Sequence, residues 1–233
     1  MKIAVMQPYF FPYIGYFQLI NAVDEFVFYD DVNFMKKSYI NRNSMLLNQK
    51  AFQFTVPLKD ASQNKLIKDV EVFKDQKWFN GFFKTLEHAY KSAPFYKEVL
   101  QIVNNVFNHD YNTISELSIK SVLEVCNYLN INCKFSISSK DYSSSKSFNK
   151  TERLISIAKQ SGKQTYVNTI GGQSLYNKSE FKAHDIDLAF IETQAIEYKQ
   201  FSNDFVPFLS ILDVLMFNSK ASIKDLLGKY SLV

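Results

Sequence analysis

The chain predicts an α/β fold built on a parallel, Rossmann-like sheet and interrupted by a helical block. Three observations predict it. A buried-strand pattern, Ile3-Ala4-Val5-Met6, leads into a helical pattern from Tyr13 to Val23 and then a second apolar strand, Phe26-Val27-Phe28-Tyr29. Strand, helix and strand in that order begin a parallel sheet with a right-handed crossover. From Gln76 to about Leu129 the pattern is helical, and beyond it strands and helices alternate again. With no internal repeat, the 233 residues fit one α/β domain, 1–233, carrying an inserted helical block at about 76–130.

The remaining elements follow in order. Pro8 and Pro12 bound the turn after the first strand. Met45-Leu46-Leu47 and Phe52 to Val56 flank Asn48-Gln49-Lys50, which predicts a hairpin extending the sheet. Helices are expected over Lys77 to Lys91, Phe95 to Phe107 and Ser115 to Leu129, the last capped by Thr113 or Ser115. Phe135-Ser136-Ile137 reads as a short strand, and the serine-rich stretch from Asp141 to Asn149 as a mobile polar loop. A helix from Thr151 to Gln160, a strand at Thr165-Tyr166-Val167, a Gly171-Gly172 turn and a strand from Leu188 to Ile191 come next. Helices over Pro207 to Phe217 and Ser222 to Lys229 complete the chain.

Composition narrows the class of function. Hydrophobic content of 46% with 21% charged residues is ordinary for a globular protein and excludes disordered and fibrous classes. The net charge of +4 is spread over scattered lysines such as Lys36, Lys37, Lys65 and Lys68. Scattered charge makes no nucleic-acid groove, yet it favours anionic small molecules. Cys126 and Cys133 have no histidine cluster at zinc spacing, so no metal site is predicted. No segment approaches the roughly 18 apolar residues of a membrane span, and the apolar start is too short for a signal peptide. A cytoplasmic location is expected, and the oligomeric state is left open.

Three polar clusters are expected at the carboxyl edge of the sheet, where open α/β sheets bind ligands. The first runs from Gln7 through Tyr9, Tyr13, Gly15 and Tyr16 to Gln18, opening the first helix. Free amides at a helix start favour an anion, and Gly15 lets a ligand or the sheet come close. The second holds Asp30 and Asp31, then Asn41, Arg42 and Asn43. Adjacent carboxylates at a strand end tend to point opposite ways, so one is expected to function, and Asp31 is the choice over Asp30. The third joins Thr151, Glu152 and Arg153, with Thr151 as cap, to Asn168, Gly171 and Gly172 after a later strand. Arg42 and Arg153 stand against 25 lysines. A planar guanidinium fork suits carboxylate or phosphate, and both arginines are expected to face one cleft. No Gly-x-Ser-x-Gly elbow occurs, His88, His109 and His184 lie outside every cluster, and both cysteines sit in apolar helical context. No side-chain nucleophile is therefore expected.

Pro12-Tyr13-Ile14-Gly15-Tyr16 resembles the His-x-Gly-His segment of the nucleotidyltransferase (HUP-like), class I synthetase and pantothenate synthetase superfamily. Tyrosines hold both histidine positions, so the likeness extends to fold and not to phosphate stabilisation by imidazole. A closer resemblance covers nearly the whole chain. Met6 to Tyr16, Tyr29-Asp30-Asp31-Val32, Ile40-Asn41-Arg42-Asn43, Thr151 to Ile155 and Leu209-Ser210-Ile211-Leu212-Asp213 together resemble the WbqC-like protein family. That family is associated with O-antigen, lipopolysaccharide and other surface-polysaccharide gene clusters. The resemblance implies a transferase attaching an aminoacyl group such as glycyl, or an acyl group, to the amine of a nucleotide-linked amino sugar. It leaves the donor unnamed, with ATP and magnesium needed only if the protein is instead an amide ligase like pantothenate synthetase. Asp31 or a tyrosine, Tyr16 first, would take the surplus proton. A non-catalytic nucleotide-sugar binder in a polysaccharide assembly complex is the third reading.

Overall fold

A computed structural model describes residues 1–202 and 204–233. Eight strands and nine α-helices are found among them. Five strands run parallel in the order β5 (Lys134–Ile137), β2 (Glu25–Phe28), β1 (Lys2–Met6), β6 (Thr165–Thr169) and β7 (Asp187–Thr193), and β8 (Tyr230–Leu232) adds an antiparallel edge. Counting only the parallel strands in chain order, the sheet reads 3-2-1-4-5. This mixed α/β, mainly parallel sheet has the Rossmann-like arrangement, with strand order reversing between β1 and β6.

Alternation along the strands sends side chains to two apolar layers. Ala4, Phe26 and Phe28 face a large core shared with α1 (Ile14–Asn21), while Ile3, Val5 and Val27 face a smaller one shared with α6 (Lys150–Gln160). The N-termini of α1 and α6 thus flank the carboxyl edge from opposite faces. Helices α2 (Gln76–Tyr90), α3 (Tyr96–Phe107) and α4 (Ile114–Leu129) form the helical block and pack into the larger core through Leu86, Val103 and Val122. A capping box at Thr113 and Glu116 starts α4, as the sequence predicts for Thr113.

Four expectations need correction. The hairpin, β3 (Arg42–Leu47) with β4 (Lys50–Thr55), is a separate two-stranded sheet and does not extend the main one. Most of β4 is exposed on both faces, with Phe54 the buried exception, so it offers no second surface for the main sheet. The serine-rich stretch is not a plain loop. It forms α5 (Ser138–Asp141) and a 3-10 turn, Ser143–Ser147, because Asp141 accepts from the Ile137 amide and Ser145 is buried against Tyr142. Helix α6 starts at Lys150 with Asn149 at the cap position, leaving Thr151 inside the first turn. Finally, α8 (Ile211–Phe217) begins only after Ser210, whose hydroxyl accepts from the Leu212 amide. Residues 194–202 and 204–210, ahead of it, form no helix or strand. The last helix, α9 (Lys220–Leu227), is capped by Ser219, whose hydroxyl accepts from the Ser222 amide.

Candidate functional site at the carboxyl edge

The turn after β1 is held from three directions. Asn43 Nδ2 donates to the Phe11 carbonyl at 2.7 Å, Ser210 Oγ donates to the same oxygen at 2.7 Å, and Ser121 Oγ accepts from the Phe11 amide at 3.0 Å. Phe11 has a φ of 41°, an unfavourable left-handed conformation for a side chain of its size. Those bonds hold it there. Asn41 Nδ2 likewise donates to the Val56 carbonyl at 2.9 Å. Both amides, expected to meet a ligand, brace backbone instead.

The tyrosines of this turn gather as expected, but they do not share one role. Tyr9 lies 5.6 Å from Tyr16 and 5.9 Å from Tyr39, centroid to centroid. Tyr16 is buried and its hydroxyl donates to the Gln7 carbonyl at 2.9 Å. Burial, with Tyr9 beside it, pushes that hydroxyl well above its ordinary value, so it keeps its proton at neutral pH. Tyr16 therefore fixes the turn and is a poor proton acceptor. Burial raises Tyr9 and Tyr13 in the same direction. A Cβ built at Gly15 would stand 2.3 Å from Cε2 of Tyr13. The space that Gly15 opens is filled by the Tyr13 ring, not kept for an outside ligand. Gln18 is buried, with Nε2 donating to the carbonyls of Leu226 and Lys229.

On the other face, the second and third clusters meet. Arg153 Nη2 donates to Asp31 Oδ2 at 2.6 Å, Nε donates to Ser145 Oγ at 3.2 Å, and the guanidinium carbon sits 4.7 Å from the Tyr29 ring centre. Arg153 and Asp31 side chains are 7% and 2% exposed. Asp30 and Asp31 do not diverge. The Ser138 hydroxyl lies 2.5 Å from Asp31 Oδ1 and 3.1 Å from Asp30 Oδ1, while Ser139 gives Asp30 both its amide and its hydroxyl. One hydroxyl proton serves two carboxylates. Their repulsion is offset by Arg153, with the Lys68 ammonium near both. Asp30, Lys68, Ser139 and Lys140 line a cavity of about 290 Å³ beneath the start of α4.

The residues after β6 approach through Tyr176, which lies near the Tyr29 ring that carries Arg153. Gly172 packs where a Cβ would meet Asn168 Nδ2 at 3.1 Å and Tyr176 Cε2 at 3.5 Å, whereas Gly171 faces open space. Asn168 is buried and its Oδ1 accepts from the Thr169 amide. Tyr29, just after β2, and Tyr176, just after the 3-10 turn Ile170–Leu175 that follows β6, both pack against the smaller core. Glu152 is exposed in the first turn of α6 and Thr151 is half-buried.

The expected pairing of the two arginines is not found. Arg42 turns back on the loop before it, donating to the Lys37 carbonyl, while Arg153 is spent on Asp31. Neither lines the cavity beneath the start of α4. Both cysteines are inert as thiols: burial pushes Cys133 up to about 12 and Cys126 higher still.

Sequence reasoning missed Tyr29, Tyr176, Ser138, Ser139, Ser145 and Lys68. Tyr29 and Ser138 directly follow strands β2 and β5, so the carboxyl-edge rule already pointed to them. Nothing in residue type marks Ser145, eight positions before Arg153, and Lys68 is brought near Asp30 and Asp31 only by the fold. Also missed was a buried acid, Asp213 of α8. It accepts from Tyr90 at 2.8 Å, Tyr198 at 2.7 Å and Gln200 at 2.7 Å, tying Tyr198 and Gln200 to α2.

Fold and edge together define a Rossmann-like α/β protein of the kind that places ligands where strand order reverses. The chain belongs to the WbqC-like protein family, which matches residues 7–225. It is 29% identical over 229 residues to an uncharacterized protein, Rv1507c, of Mycobacterium tuberculosis, covering 97% of each chain. No solved structure matches it. Among the described residues no helix is long and apolar enough to cross a membrane.

Proposed function

We propose that the protein is a transferase joining an aminoacyl or acyl group to the amino group of a nucleotide-linked amino sugar, in surface-polysaccharide synthesis. The observation that carries this reading is the Asp31–Arg153 pair at the carboxyl ends of the strands, one strand from the point where their order reverses. Family membership supports it, since WbqC-like proteins are associated with polysaccharide gene clusters. The nucleotide sugar would lie across Gln7, Tyr29 and the Asn168–Gly172 loop, with Arg42, Tyr9, Thr151 and Glu152 at the rim.

In this reading the substrate amine is the nucleophile. Its nitrogen attacks the activated carbonyl, a C–N bond forms, the bond to the donor's leaving group breaks, and the nitrogen's surplus proton passes through Asp31 to the leaving group or water. Holding amine and carbonyl together can lower the barrier by about 7–11 kcal/mol without a covalent enzyme intermediate. Arg153 and Ser138 fix the carboxylate that receives the proton.

A second reading is favoured by one specific observation. Both Asp31 oxygens already accept hydrogen bonds, which suits a binder of nucleotide sugars as well as an enzyme. Purified protein incubated with amino-sugar nucleotides and glycyl or acyl thioesters separates the two. A mass increase on the sugar supports transfer, whereas binding with no product across a broad donor panel supports the binder. Amino-acid-dependent pyrophosphate exchange would instead indicate the ATP-dependent ligase.

A further inference from the structure

No step of the transferase reading uses the cavity of about 290 Å³ beneath the start of α4. Its size lies at the lower end of small-molecule sites. The charged lining is balanced: Lys68 and Lys140 stand against Asp30 and Glu116, with Ile119 and Ile137 as apolar wall. That balance disfavours two classes of occupant. A metal cation would meet two ammonium groups, and a polyanion would meet two carboxylates.

The lining offers unused donors. Ser115 belongs to it and is 2% exposed. Among the first amides of α4, Ile114 donates to the Val70 carbonyl, Glu116 to Thr113 Oγ1 and Leu117 to the Thr113 carbonyl. The Ser115 N–H is the one left without a partner among the described residues. Its hydroxyl has none among them either, yet the side-chain atoms that lack both a partner and accessible surface are Gln18 Oε1 and Glu25 Oε2. The Ser115 hydroxyl therefore keeps accessible surface, and the cavity is where Ser115 is open. Acceptors are left over as well. Asp30 Oδ2 accepts from Ser139 Oγ alone, although a carboxylate oxygen has room for a second donor. Glu116 holds the Asn112 and Thr113 amides with Oε2, which leaves Oε1 for another donor. Among the described residues Lys140 forms no ion pair.

We propose that this cavity binds a small zwitterion of the α-amino-acid class. The ligand carboxylate accepts from the Ser115 amide and hydroxyl, with the positive end of α4 and Lys140 as countercharge, and the ligand ammonium donates to Asp30 Oδ2 and Glu116 Oε1. The proposal goes beyond the transferase reading, concerns binding alone and makes or breaks no bond. Failure of sugar modification would leave it standing, and failure of amino-acid binding would leave the transferase reading standing.

The test is calorimetric titration of the full chain at neutral pH with L-alanine, with its two halves, propionate and ethylamine, and with inorganic phosphate. Alanine should bind at least about tenfold more tightly than any other probe, a difference of about 1.4 kcal/mol. Ser115→Ala removes the buried hydroxyl, and Lys140→Met changes an exposed position that leaves the core untouched. Each should weaken alanine by about tenfold, as the loss of a contact to a charged group does, with an unchanged melting temperature in Lys140→Met. Alanine no tighter than its halves, phosphate tighter than alanine, no binding of any probe, or full alanine affinity in Lys140→Met would overturn the site.

Discussion

Arg153 Nη2 lies 2.6 Å from Asp31 Oδ2 although 122 positions separate them in the chain. This pair joins the first turn of α6 to the loop after β2, and Tyr29 covers the guanidinium face. Removing one partner of a buried pair strands the other charge, at a typical cost of about 3–5 kcal/mol. Arg153→Met should lower unfolding stability by that order in urea titration. Adding Asp31→Asn should recover part of the loss, since the stranded carboxylate is then gone. Arg153→Lys should fall between, because an ammonium cannot hold both Asp31 and Ser145 in the same plane.

Among the described residues Asp213 is buried without a cationic partner, and three neutral donors satisfy it. Burial raises its carboxyl above the ordinary range despite those bonds. Tyr90→Phe and Tyr198→Phe should each destabilise the fold by about 1–3 kcal/mol, because each leaves a buried acceptor short of a donor. Their combined effect, measured by denaturant titration, should depart from the sum, since both act on one carboxylate.

Glu25 gives the fold an acid limit. Burial raises its carboxyl, but hydrogen bonds from Tyr142, Ser136 and Lys134 outweigh burial and hold it below the ordinary 4.5. The folded state thus binds fewer protons than the unfolded chain in that window. The stability it contributes is present above about pH 4.5 and is lost as pH falls through the lowered folded value. Melting temperature followed from pH 7 to pH 3 should show a shallower acid decline in Glu25→Gln than in the native chain.

Gly15→Ala should leave the fold intact while moving the Tyr13 ring, since the clash is with the far end of a side chain. Its loss of stability should be about 1 kcal/mol, within the usual range for a single substitution. Removing the ring as well, in Gly15→Ala/Tyr13→Ala, should cancel the clash. A double-mutant cycle by thermal denaturation would show a coupling between the two positions.

Much of the fold was legible in the sequence, because period-2 and period-3.6 apolar patterns report burial face by face. Ile3 to Met6, Phe26 to Phe28 and the helical block all appear where those patterns place them. The hairpin was legible as a hairpin but not as a separate sheet, since strand partners are chosen by tertiary contact and not by local pattern. Parts of the site were harder. Asp31, Arg153 and Asn168 could be singled out by residue type, but their partners Ser138 and Ser145 are small hydroxyls with no distinctive spacing. Asn43 and Tyr16 misled for a physical reason: a polar side chain beside a turn is as useful for bracing strained backbone as for meeting a ligand.

The placement of the site can be checked by backbone amide shifts of isotopically labelled protein titrated with UDP-glucosamine. Binding at the strand-order reversal should give its largest shifts at Gln7, Tyr29, Gly171 and Gly172, with Arg153→Met abolishing them while the spectrum stays folded. Shifts confined to α2–α4 or the β3–β4 hairpin, with the carboxyl edge silent, would contradict it.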